Sequence, residues 1–236
     1  MSDQEQASPL PRPAATVILL RRGADGARVL MGQRGAEAAF MPSKYVFPGG
    51  GLDPADADVP LVAGLGDLCR ARLDERSDGT SAHGLAVAAI RELWEETGLQ
   101  LGAPGRGDPL PDDWAGFSAV GLRPSADALH FFFRAITPPG RSRRFDARFF
   151  LADARNVTGD LDDFSNASDE LSHLHWVALS DARALNLPFI TEVVLAELSA
   201  HLRRQPDDTP LAAPPNVPFF DNSGAVPMFR RLGLSA

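Results

Sequence analysis

Three glutamates lie within one helical turn in the stretch AAIRELWEETGL, residues 88–99. Glu92, Glu95 and Glu96 are spaced i, i+3 and i+4, so a helix places all three on one face. Like charges at this spacing repel each other by roughly a few tenths of a kcal/mol per pair. Water, basic partners or a bound cation must offset the repulsion, and a cluster of carboxylate oxygens suits Mg²⁺ or Mn²⁺, because these hard ions prefer oxygen ligands. The alternative is an acidic helix face that points into water.

The helix that carries the glutamates has clear signals at both ends. We predict it from about residue 82 to residue 97. Thr80 or Ser81 can accept a hydrogen bond from the first turn as the N-cap. Gly98 stands where a helix most often ends in a left-handed residue. The pattern therefore predicts a rigid support for the acidic face.

Three consecutive glycines, residues 49–51, follow the sequence VFP and precede an acidic stretch. Glycines let a backbone approach its neighbours closely, as a phosphate or metal site requires. The helix does not follow them directly, because Arg91 comes 41 positions after Gly50. Closing the longer loop costs only about 1 kcal/mol extra, since the penalty grows with the logarithm of length. The two segments can still meet in one site.

The string Arg-Glu-Leu-x-Glu-Glu-x-Gly-Leu, residues 91–99, resembles the second half of the Nudix box, with all seven fixed positions present. The resemblance implies an α/β fold, the Nudix α/β/α sandwich with a mixed sheet, and hydrolysis of a nucleoside diphosphate linked to another group. It implies Mg²⁺ or Mn²⁺ as the cofactor and Arg91 as the residue that holds the acidic cluster together. The implied metal ligands are Glu92, Glu95, Glu96 and Gly50. Gly49 and Gly50 would let the backbone approach the substrate.

The box is interrupted by a helical insertion at about residues 54–80. Asp56 stands where the box normally has a glutamate, so that glutamate is absent or supplied from elsewhere. The long insertion and the later stretch RRFDARFF, residues 143–150, resemble the Nudix subgroup of the peroxisomal coenzyme A diphosphatase. That resemblance implies coenzyme A or acyl-CoA as substrate, with 3′,5′-ADP and (acyl-)phosphopantetheine as products. An ADP-ribose or nucleotide-sugar pyrophosphatase and a non-catalytic ligand-sensing module remain the alternatives.

Further candidates lie outside the box. Glu170, in the polar loop NASDELSHLHW, is a candidate catalytic base or extra ligand, with Asp169 as a weaker rival and a solvated loop as the alternative. Arg144 and Arg148 could bind substrate phosphate, or could pair with Asp146. The aromatic residues of the strands could stack on adenine, but core positions are the favoured interpretation. These aromatic residues are Trp114, Phe131, Phe132, Phe133 and Trp176.

Composition and charge narrow the class of protein. The chain has 236 residues and a net charge of −8, which argues against nucleic-acid binding. Its one cysteine, Cys69, cannot form an intrachain disulfide, and favours a cytoplasmic location. No apolar run is long enough for a membrane span. The expected partner is a small nucleotide-type molecule, and the resemblance allows a homodimer, which is common in the family.

The order of elements predicts one domain with two extensions. Residues 1–14 are expected to be disordered, and residues 15–204 to form the Nudix domain. Residues 205–236 are expected to be an extension that is irregular or packs on another surface. Several strand patterns adjoin each other without helices between them, which favours a mixed sheet with helices on its faces.

Overall fold

The computed structural model describes residues 9–38, 40–206, 209–224 and 226–233. Residues 1–8 of the predicted disordered segment lie outside this part, and the first strand begins at Arg12. The strands are β1 Arg12–Gly23, β2 Gly26–Arg34, β3 Tyr45–Val46, β4 Gly49–Gly51, β5 Gln100–Pro104, β6 Leu122–Pro124, β7 His130–Ile136, β8 Phe145–Asp153, β9 Val157–Thr158, β10 Leu171–Ala178, β11 Val217–Asp221 and β12 Met228–Leu232.

The main sheet is mixed, as predicted. Its strand order is β10-β2-β1-β8-β7-β11-β12, with β3 paired to β2 and β4 paired to β1. Strand β1 runs parallel to β8, and β7 runs parallel to β11. The other pairs in this sheet are antiparallel. A smaller sheet, of order β6-β5-β9, lies beside it.

Helices cover both faces of the sheet and complete an α/β/α sandwich. One apolar core lies under the helices of the box, and a second lies under the helix near the end of the domain. No helix in the described ranges has the length and apolar character to cross a bilayer. The α-helices are α1 Asp67–Asp74, α2 Ala82–Thr97, α3 Ala115–Ser118 and α4 Phe189–Leu202.

The insertion and the C-terminal extension pack together. The Arg72 side chain of α1 donates hydrogen bonds to the carbonyls of Pro214 and Pro215, at 2.6 and 2.7 Å. The backbone amide of Gly233 donates to the carboxylate of Glu75 at 2.9 Å. The extension is therefore not irregular throughout, because β11 and β12 join the main sheet beside the insertion.

Candidate active site

Helix α2 is capped as the sequence predicts. The Ser81 side chain accepts a 3.1 Å hydrogen bond from the amide of Gly84. Gly98 ends the helix with φ 78°, in the left-handed region that favours glycine. The helix lies against β1 and β4, so its acidic face meets the glycine strand.

Glu96 is the most buried of the three glutamates, with 2% of its surface exposed. Its Oε2 accepts a 2.8 Å hydrogen bond from the amide of Gly49. Its Oε1 is buried and has no hydrogen-bond partner in the described part of the chain. Burial raises the pKa of Glu96 to about 8, and the negative charges of Glu92 and Glu170 act in the same direction. The carboxylate is thus placed where its own negative charge is poorly compensated.

Gly49 and Gly50, the first two glycines of β4, are closely packed. A side chain on Gly50 would place its Cβ 2.3 Å from Oε1 of Glu92. A side chain on Gly49 would place its Cβ 2.5 Å from the carbonyl oxygen of Ala15 in β1. Only glycine lets this strand lie directly against both the sheet and the glutamates.

Arg91 holds the cluster in place from α2. Its guanidinium donates to both oxygens of Asp56, at 2.8 and 3.1 Å, and to the carbonyl of Gly51 at 3.0 Å. It also donates to Glu92 at 2.8 Å and to Glu95 at 3.2 Å. Burial disfavours the charged form, but the bonds to Asp56 and Glu92 outweigh it and raise the pKa of Arg91. Asp56 thus acts as the acidic partner at the position where the box normally has a glutamate.

Two charged residues at the ends of β2 and β10 act on the cluster. Glu170 is exposed just before β10, and its charge raises the pKa values of Glu92 and Glu96. Arg34 ends β2, and its charge lowers the pKa of Glu96. Arg34 was not among the sequence candidates. In the sequence, the only sign of a role for Arg34 was a cation at the end of a buried strand. In the structure, its register partner on β10 is Leu171.

Solved structures of known proteins share this architecture. The structure of a NUDIX hydrolase from Alicyclobacillus acidocaldarius is 29% identical in sequence and superposes with a TM-score of 0.60. The match covers 81% of this chain and 92% of that one. The chain belongs to the Nudix hydrolase superfamily. No protein-family profile matches the sequence.

Curated Nudix relatives match over the same core. Nudix hydrolase 7 of Caenorhabditis elegans is 30% identical, over 70% of this chain and 51% of that protein. The acyl-coenzyme A diphosphatase NUDT19 of Homo sapiens is 29% identical, over 64% of this chain and 52% of that protein. The chain spans about half the length of the curated relatives it matches.

The Nudix geometry does not bring Arg144 and Arg148 to the glutamates as free cations. The Arg144 guanidinium is buried and donates to the carbonyls of Pro9, Thr137 and Asn222. Arg148 is 1% exposed and pairs with Asp146 at 2.9 Å. Both guanidinium groups are buried and bonded within the interior, although Nη2 of Arg148 has no hydrogen-bond partner among the described residues. Their burial argues against the expectation that they bind substrate phosphate and favours the alternative that Arg148 pairs with Asp146.

The candidate aromatic residues are core residues, as favoured, although Trp114 lies just before α3 and not in a strand. Each of the five candidate aromatic residues has 9% or less of its surface exposed. They are therefore closed to a nucleotide in this arrangement. The residues concerned are Trp114, Phe131, Phe132, Phe133 and Trp176.

The glutamates of the Nudix helix suit a hard divalent cation. In the described ranges no three acidic, histidine or cysteine side chains form a ready-made cation group. One reason is that Glu95 turns towards Arg91. The unpartnered Oε1 of Glu96 nevertheless offers a hard oxygen ligand beside the Glu92 carboxylate, whose pKa burial also raises. A cation there would relieve the uncompensated charge, so the donor set fits Mg²⁺ or Mn²⁺.

Proposed function

We propose that this Nudix protein hydrolyses the pyrophosphate bond of a nucleoside diphosphate-linked substrate with the help of Mg²⁺ or Mn²⁺. The observation that carries the proposal is the Glu96 carboxylate, with one oxygen held by Gly49 and the other unpartnered in a buried acidic cluster. A structural carboxylate at this depth normally has all of its oxygens hydrogen-bonded. An oxygen without a partner is the arrangement expected of a ligand for a cation.

The residues of the acidic cluster would have different roles in such a reaction. A bound divalent cation supplies charge neutralisation of the pyrophosphate and lowers the pKa of a bound water. Glu92, Glu95 and Glu96 would hold the cation, after Glu95 turns away from Arg91. Arg91, fixed by Asp56, orients the neighbouring carboxylates. Gly49 and Gly50 of β4 would let the protein backbone approach the substrate.

Two further residues are proposed to act on the substrate. Glu170 is exposed at the edge of the cluster, so it can accept a proton from water as the general base. Arg34 acts on Glu96 as a positive charge, whereas Glu92 and Glu170 act on it as negative charges. The Nε of Arg34 has no hydrogen-bond partner among the described residues. A guanidinium in this place suits a phosphate oxygen.

Coenzyme A or an acyl-CoA is the proposed substrate, and 3′,5′-ADP with (acyl-)phosphopantetheine are the proposed products. Support comes from the likeness to the relative named acyl-coenzyme A diphosphatase and from the insertion within the box. We propose a cytoplasmic location as well, because the single buried cysteine suits a reducing compartment.

A substrate panel tests this proposal. CoA, an acyl-CoA, ADP-ribose, NADH and a dinucleoside polyphosphate are each incubated with the chain and Mg²⁺ or Mn²⁺. We expect the highest kcat/KM for CoA or acyl-CoA, with 3′,5′-ADP released. A higher kcat/KM for ADP-ribose would reject the coenzyme A assignment. Tight binding of any of these without turnover would favour a ligand-sensing module.

A further inference from the structure

The two edge strands of the main sheet differ in how regular they are. At one edge, the register of β10 against β2 shifts between Ser172 and His175, and His173 has φ 52°. A bulge of this kind bends an edge strand and hinders its pairing with another chain. At the other edge, β12 pairs with β11 in unbroken register from Met228 to Leu232. Within the described ranges, β12 is therefore a regular edge with no further strand beside it.

Exposed apolar side chains lie on β12 and beside it. Met228 is 45% exposed, and Phe229 is 49% exposed. The Phe229 ring lies 6.3 Å from the Phe220 ring of β11, between centroids. Phe220 in turn lies 6.2 Å from the ring of Phe189, a residue of α4 that is 66% exposed. Contiguous exposed apolar groups, unlike scattered ones, mark interaction surfaces.

The two arginines of β12 are poor guards of this edge. Natural edge strands are often kept apart from other strands by free charged side chains. The Arg230 guanidinium donates to Asp221 at 2.8 Å. Arg231 pairs with Glu197 of α4 at 3.1 Å, and its guanidinium carbon lies 5.3 Å from the centroid of the Phe229 ring. Both positive charges are matched within the chain, so they would repel a second strand only weakly.

We propose that β12 pairs antiparallel with β12 of a second copy of this chain, so that the two main sheets join across a two-fold axis at Phe229. A two-fold interface uses the same patch on both copies, so the patch must complement itself. With Phe229 on the axis, the two Phe229 rings meet, and aromatic cross-strand pairs are favourable. Met228 of one copy then lies opposite Arg230 of the other. The inference is independent of the proposed function, because it involves no residue of the acidic cluster.

Charge selects this register over its neighbour. Side chains alternate between the two faces of a strand, so a two-fold axis through the sheet must pass through one residue of β12. An axis at Arg230 would place two arginines directly opposite each other, which is destabilising. An axis at Phe229 avoids this contact and extends the row of rings from one copy into the other. A second copy thus supplies both the aromatic partner and the matched charges that the edge requires.

The state of association tests the proposal. Sedimentation velocity of the full chain over a series of concentrations should show a monomer that converts to a dimer and to no larger species. Phe229→Arg places like charges on the axis and should raise the dimer Kd about thirtyfold or more, as expected for loss of a central hot spot. Val120→Arg adds the same charge at a 67% exposed position after α3 and should leave the Kd unchanged. Both variants should keep the wild-type unfolding temperature, because the replaced side chains are exposed.

An introduced cysteine tests the register. The one natural cysteine, Cys69, is buried and should not cross-link copies. Directly opposite residues of antiparallel strands have Cα atoms about 4.5–5.5 Å apart, within disulfide range. Phe229→Cys, oxidised with diamide, should therefore give a covalent dimer, whereas Met228→Cys and Val120→Cys should give far less. A chain that stays monomeric, a dimer that persists in Phe229→Arg, or equal cross-linking of Met228→Cys would each overturn the proposal.

Discussion

The amide of Gly49 donates a 2.8 Å hydrogen bond to one oxygen of Glu96, while the other oxygen has no partner among the described residues. One half of the carboxylate is therefore fixed by the backbone of β4. The other half remains available as a ligand. Because the two residues are 47 positions apart in sequence, this bond joins the two halves of the interrupted box, as does the bond from Arg91 to the carbonyl of Gly51.

Replacement of Glu96 by glutamine should abolish hydrolysis and leave the fold intact. Glutamine can still accept the bond from Gly49, but it cannot supply a charged ligand. At a cation concentration about 100 times its Kd, the wild type should gain about 2.7 kcal/mol of stability, and the variant should gain little. Thermal unfolding with and without Mg²⁺ measures this difference. Exposed Glu192→Gln on α4 is the control, and unchanged turnover in Glu96→Gln would reject the metal assignment.

Replacement of Gly50 by alanine should reduce kcat/KM by roughly 100-fold, because small displacements of catalytic groups have effects of this size. The added Cβ would collide with Oε1 of Glu92 at 2.3 Å and push that carboxylate away. Gly64→Ala is the matched control, since nothing lies within 4 Å of its added Cβ. Steady-state kinetics of both variants checks the prediction. Equal activities would show that the glycine strand does not position Glu92.

Replacement of Asp56 by asparagine should destabilise the protein by about 2 kcal/mol, because Arg91 loses a charged hydrogen-bond partner. Catalysis should fall as well, since Arg91 orients Glu92. Exposed Asp58→Asn removes the same charge two positions away and should have little effect. Urea unfolding and kcat measurements on the two variants separate the contributions. A stable, fully active Asp56→Asn chain would contradict the role assigned to Asp56.

Acidification should lower the stability of the folded chain, because burial of His201 on α4 disfavours its charged form. His201 lies 3.0 Å from the carbonyl oxygen of Ala212, and burial lowers its pKa, with the charges of His130 and Arg204 acting in the same direction. The unfolded chain, with a histidine pKa of about 6.5, binds the proton first as the pH falls. The contribution of neutral His201 to the free energy of unfolding is therefore fully present above about pH 6.5. It is lost as the pH falls through the lowered pKa.

Thermal unfolding between about pH 7.5 and pH 5.5 tests the titration of His201. His201→Gln keeps a donor for Ala212 and removes the titrating group. Its unfolding temperature should fall less than that of the wild type over this range. Parallel curves for the two proteins would show that His201 does not contribute to the pH dependence.

The helix that carries the glutamates could be predicted because the residues that specify it lie within the helix and at its two ends. The spacing of Glu92, Glu95 and Glu96, with a cap at Ser81 and a stop at Gly98, needs only helical geometry. The roles of Asp56 and Arg34 could not be predicted in the same way. Each depends on a partner far away in sequence, and a lone aspartate or arginine carries no spacing pattern.

Arg144 and Arg148, which follow β7, show that residue type alone does not predict whether an arginine faces a substrate or the core. Arg144 and Arg148 were expected either to bind substrate phosphate or to pair with Asp146. Residues 146 and 148 point to the same face of β8, because side chains alternate along a strand. Arg148 therefore pairs with Asp146 in the interior. The strands of the extension after α4 were not predicted for a related reason, because β11 joins the main sheet only by long-range pairing with β7.

The contacts of Arg72 with Pro214 and Pro215, and of Glu75 with Gly233, join positions separated by more than 140 residues. During synthesis, the insertion emerges from the ribosome long before these partners exist. Until residue 233 is available, α1 lacks part of the surface on which it packs. The packing of the insertion is therefore completed only after these late residues of the chain have been translated.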